Sequence, residues 1–146
     1  MLNENSPNAP PETETAAREL PRLNMGLTVA ICCSCFVIPG LGHILMGRWI
    51  RGILLALAIG LMFLMGLSMQ GELYSSDLNQ APLRLFGFFA DAGIGLMYWL
   101  AEHARLGAGN MSARTYDYGT AYLWVCGLLN YLTVLDAFDI ARGRKP

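Results

Sequence analysis

The chain has 146 residues, 54% of them apolar and only 14% charged, with a formal net charge of −1. Soluble domains carry about 25% charged residues, so this composition argues against a water-soluble fold. The near-neutral balance gives no case for nucleic-acid binding, and the length leaves room for one membrane domain and little else.

Residues 1–24 contain Pro7, Pro10, Pro11 and Pro21, four glutamates and few large apolar side chains. Such a segment cannot bury enough surface to offset its chain entropy. A disordered polar tail is expected there. Four charge-poor runs follow. Residues 23–47, 52–71 and 118–135 hold no Asp, Glu, Lys or Arg, and 85–101 holds only Asp91. About 20 apolar residues cross a bilayer core as a helix, so the expected fold is all-α: a bundle of four transmembrane helices over 25–139.

The first span is placed at 25–46 and contains Pro39-Gly40. Proline removes a backbone donor and clashes with the preceding turn. The helix is therefore either kinked or ended there, in the second case by a re-entrant turn. Cys32, Cys33 and Cys35 lie in this span and Cys126 in the last, where thiols act as small packing residues rather than disulfide or redox centres. The residues before Cys32 and Cys35 do not make a lipoprotein pattern. The run is also longer than a signal-peptide core, so it reads as a span rather than a cleaved leader.

A short connection at 47–52 carries Arg48, Trp49 and Arg51, the residue types expected at the headgroup level. The second span, 52–70, aligns Gly52, Ala56 and Gly60 as a small-residue stripe suited to close helix packing. After a polar loop the third span, 83–101, sets Gly87, Asp91 and Gly95 on one face. An Asp at mid-membrane costs about 2.5–3.5 kcal/mol and the large apolar residues of this span return about 2–4 in total. The span is thus nearly neutral alone and needs neighbours.

The fourth span, 119–138, puts Cys126, Asn130 and Thr133 on a polar stripe and ends at Asp136 and Asp139. A basic tail, 140–146, closes the chain with Arg142, Arg144 and Lys145. Four spans place both termini on one side. Basic residues then divide six to four in favour of that side, with Arg48 and Arg51 opposite and Arg84 alongside the termini. The positive-inside rule makes that side cytoplasmic.

Asp91 and His43 are the candidates for a proton or ion path, because intramembrane acids mark such paths and histidine titrates near neutrality. Against this stands a structural role: Asp91 hydrogen-bonded to Asn130, Thr133 or His43, and His43 capping the broken backbone. Asp136 and Asp139 read as a pair balanced by the basic tail. No nucleophile elbow, P-loop or HExxH is present, so no enzymatic activity, metal or cofactor is expected. The expected partners are the bilayer and either further copies of the chain or a larger membrane complex.

PGLGHILMGRWIRGILL (39–55) resembles the glycine-punctuated hairpin of two-helix membrane domains. Together with YDYGTAYLWVCGLLNYLTVLDAFD (116–139) it is similar to an uncharacterised family of small bacterial membrane proteins. That resemblance implies a bacterial integral membrane protein, in the inner membrane, and supplies no activity. Ile44-Leu45 stands where the two-helix domains have an aromatic pair. The sequence therefore points to a non-enzymatic accessory or scaffold protein, with a transport component using Asp91 and His43 as the alternative.

Overall fold

Charge-poor runs form helices wherever nothing interrupts the backbone ladder, and here two of the four are interrupted. The computed structural model describes residues 24–75 and 82–144; they are helical apart from loops and one isolated bridge, Glu72 to Ala108. The tail expected over 1–24 lies, save Asn24, outside the described residues, as do Lys145 and Pro146 of the basic tail.

Two helices are long and apolar enough to cross a bilayer: α3 (Trp49–Ser68) and α6 (Tyr116–Ala141), of 20 and 26 residues. They are antiparallel. Gly66 packs on Gly119 and Leu123, and nearer the middle the Cys126 thiol donates to the Ile59 carbonyl at 3.2 Å.

The expected first span is instead α1 (Met25–Val37), a break at Ile38-Pro39-Gly40, and a five-residue helix α2 (Leu41–Leu45). Contacts along α6 give its direction. Met25 lies by Arg142, Ile31 and Cys35 by Ala137, Phe36 by Asn130, and His43 by Asp136. The chain climbs to the middle of α6 and then turns back. Of the two sequence alternatives, the re-entrant turn is the one adopted. Gly40 makes it possible: its φ of 81° suits glycine, and a side chain there would meet the Gly52 carbonyl of α3.

The expected third span is likewise two helices, α4 (Pro82–Ala92) and α5 (Leu96–His103), bent by 113°. Gly87 faces Trp124, Ala90 faces Gly127 and Gly93 faces Tyr131, so α4 runs parallel to α6. The chain then reverses, and the Tyr98 hydroxyl of α5 donates to the Tyr74 carbonyl at 2.9 Å. This is a second hairpin along α6, entered from the opposite end of that helix. The two turns carry the same motif, Gly40-Leu41-Gly42 and Gly93-Ile94-Gly95.

The ends of the bundle are thereby defined. The first holds Met25, the α2–α3 turn and Ala141; the second holds Gln70 to Ser75 and the loop after His103. Arg48 and Arg51 sit at the first end with Arg142 and Arg144, while Arg84, paired with Glu72, sits at the second. This reverses the sides expected for Arg48, Arg51 and Arg84, because the hairpins return instead of crossing.

Ile59, Phe63, Ile94, Tyr98, Leu123 and Cys126 form the main core. Leu54, Leu57, Leu61 and Leu64 of α3 and Val125, Leu132 and Leu135 of α6 face outward. Most of the small-residue positions are used inside. Gly52 and Ala56 receive the Gly40 turn, Gly87 lies against Tyr74 and Trp124, and Gly95 touches the Phe36 and Val37 carbonyls. Gly60 has open space beside it.

Candidate functional site: a polar seam along α6

A helix break frees carbonyls that must find donors, and at depth only protein can supply them. Asn130, fully buried near the middle of α6, does this for both hairpins. Its Nδ2 donates to the Phe36 carbonyl at 3.2 Å and to the Gly93 carbonyl at 2.8 Å. One side chain thus ties the end of α1 to the α4–α5 turn. Its Oδ1 is buried and has no hydrogen-bond partner among the described residues.

Asp91 is also fully buried. Its Oδ2 accepts from the Tyr74 amide at 2.9 Å, and its Oδ1 has no hydrogen-bond partner among the described residues. The partners expected for it, Asn130, Thr133 or His43, are not the ones it takes. Thr133 donates to the Leu129 carbonyl of its own helix, and Asp91 anchors the extended segment after α3.

His43 is fully buried on α2, with Nε2 3.1 Å from Asp136 Oδ2 and Nδ1 3.9 Å from Cys35 Sγ. With the proton on Nε2 the ring donates to the carboxylate, and Nδ1 is then an acceptor facing the thiol. His43 therefore binds a side chain across 93 residues of sequence rather than capping its own break. Asp136 belongs with His43, while Asp139 accepts from Arg144 at 3.4 Å. Arg142, part of the basic tail expected to balance Asp136 and Asp139, donates to the Met25 sulfur and lies over the Phe138 ring. At the same end Arg51 is exposed, and Arg48 keeps Nη1 buried without a hydrogen-bond partner among the described residues.

Residues 30–146 match a family of unknown function (DUF6677). The chain belongs to that family. No curated protein and no solved structure matches it. Membership fits the resemblance to an uncharacterised family, and both segments that carry the resemblance fall inside the matched region.

The second end of this DUF6677 member holds a cluster that the sequence pattern did not single out. Glu72 accepts from Arg84 at 3.0 Å and from the Tyr116 hydroxyl, while its own amide donates to Thr120 Oγ1 at 3.1 Å. The Leu73 amide donates to the Gly107 carbonyl at 2.9 Å, and the Tyr74 ring packs against Trp124 at a 54° tilt. These bonds pin the segment from Gly71 to Tyr74 between α4, α5 and α6. A signal exists in the sequence: Glu72 and Tyr74 flank Leu73 in a loop adjoining an apolar span. Glu102, His103 and Arg105 line an open cleft with Trp99 and Leu100 at this same end. Among the described residues no group of three or more His, Cys, Asp or Glu is placed to hold a metal ion.

Proposed function

We propose that this chain is a small integral membrane protein of non-enzymatic accessory or scaffold type, resident in a bacterial inner membrane. The observation that carries the reading is Asn130 holding both helix breaks at once, which makes the deep polar groups a framework. Asp91 and Asp136 serve the same end, one fixing the Tyr74 segment and the other fixing α2. The outward leucines of α3 and α6 supply a surface suited to lipid, and the face around Gly60 has room for another helix. Isolation from native membranes into nanodiscs tests this. A stoichiometric partner or a defined homo-oligomer supports it; a monomer that alone moves ions across a liposome overturns it.

A transport role is the second reading, favoured by one observation: Asp91 and Asn130 each bury an oxygen without a hydrogen-bond partner among the described residues, near the meeting point of the two hairpins. Discontinuous helices whose broken ends meet at mid-depth are a recurrent way of building an ion site. On this reading Asp91→Asn abolishes proton flux in liposomes with membrane expression intact. Loss of the protein from the membrane would instead mark Asp91 as structural.

A further inference from the structure

We propose that Cys35 and His43 form a binding site for a soft monovalent metal ion of the copper(I) class, with Met46 packed on the apolar cluster that includes Cys35. Such a site goes beyond the scaffold reading and does not depend on it. The first hairpin folds α2 back onto α1, and this brings Cys35 Sγ to 3.9 Å from His43 Nδ1, with both residues fully buried. Metal–sulfur and metal–nitrogen bonds run about 2.3 and 2.0 Å. An ion between the two atoms satisfies both lengths with an S–metal–N angle of about 130°, as those lengths require.

Three further features select the ion. His43 presents Nδ1 because Nε2 is held by Asp136 at 3.1 Å. A carboxylate on the far nitrogen is the arrangement that fixes the tautomer and raises the basicity of a ligating imidazole. Thiolate and thioether donors favour copper(I) over hard cations, and Met46 packs against the cluster that contains Cys35. Binding replaces the thiol proton, which leaves to solvent. The absence, among the described residues, of a third His, Cys, Asp or Glu also disfavours the closed four-ligand site that zinc takes.

The full chain in nanodiscs, titrated anaerobically with copper(I) against a colorimetric chelator, provides the test. One equivalent is expected to bind, with an X-ray absorption spectrum containing both an imidazole nitrogen and sulfur. Cys35→Ser and His43→Gln each lower affinity at least tenfold. Asp136→Asn, acting through the histidine, lowers it about 10–100-fold. Cys33→Ser, at an exposed position, leaves binding unchanged. The wild-type spectrum decides the matter even where a variant fails to fold: sulfur without imidazole, or no copper retained against the chelator, overturns the site. So does uptake that survives Cys35→Ser intact.

Discussion

Asn130 shows how far one side chain can determine a membrane fold. An amide has two donor hydrogens, and here each serves a carbonyl at a different helix break. Replacing it with Leu keeps the branched shape and the number of side-chain heavy atoms and removes both bonds. Interhelical hydrogen bonds in membranes are worth about 0.6–2 kcal/mol each, so Asn130→Leu is expected to cost about 1–4 kcal/mol. Thermal unfolding in detergent, followed by size-exclusion fluorescence, should show a lowered midpoint, with the outward-facing Leu128→Ala as an unchanged control. An unaltered midpoint for Asn130→Leu would mean that the breaks are held by packing alone. Glu72 has a comparable standing at the second end, where Glu72→Gln weakens its bond to Arg84 from charged to neutral. Arg84 is about two-fifths exposed, so the loss is small, about 1 kcal/mol or less.

At the scale of elements, glycine decides where the helices turn, and the same residue type is dispensable a few turns away. Gly95 has φ of 74°, and a Cβ there would run into the Phe36 carbonyl. Gly95→Ala therefore meets both positive-φ strain, about 1–3 kcal/mol, and a backbone clash that separates α1 from the second hairpin. Gly60 lies within α3 with open space around it, so Gly60→Ala gains helix propensity, up to about 1 kcal/mol, at no packing cost. Opposite shifts of the unfolding midpoint are the expected result; equal shifts would refute this division. The difference between these glycines is not legible in the sequence, where Gly60 extends the Gly52/Ala56 stripe as naturally as Gly95 pairs with Gly87. Spacing reports which residues share a face, not what stands opposite. The break at Pro39-Gly40 is legible because proline announces it, but Gly93-Ile94-Gly95 reads as part of a continuous span. Helical character and apolar length come through for the same reason: they are properties of composition and period. Partners 93 residues apart, such as His43 and Asp136, are set by the fold of the whole chain.

For the whole molecule, hydropathy counts residues without giving their direction. The 25-residue run from Leu23 to Gly47 is long enough to cross once, yet the chain turns at Gly40: Phe36 reaches Asn130 midway along α6 and His43 returns to Asp136. Both arrangements leave the termini on one side, so a fusion at the C-terminus cannot separate them. The α2–α3 turn can. Four full spans put Trp49 on the side opposite Arg144, and the hairpin puts it on the same side. Among the described residues Arg48, Arg51, Arg142 and Arg144 gather at the first end, against Arg84, Arg105 and Arg114 at the second. From this four-to-three division the positive-inside rule predicts a cytoplasmic first end. Trp49→Cys and Met111→Cys, at positions 63% and 73% exposed, report the two ends. In intact cells a membrane-impermeant maleimide is expected to label Met111→Cys and to reach Trp49→Cys only after permeabilisation, against the wild-type background of its own cysteines. Labelling of Trp49→Cys alone would invert the orientation while keeping the hairpin. If both are labelled from outside, the α2–α3 turn lies with the second end, and the first hairpin crosses the membrane after all.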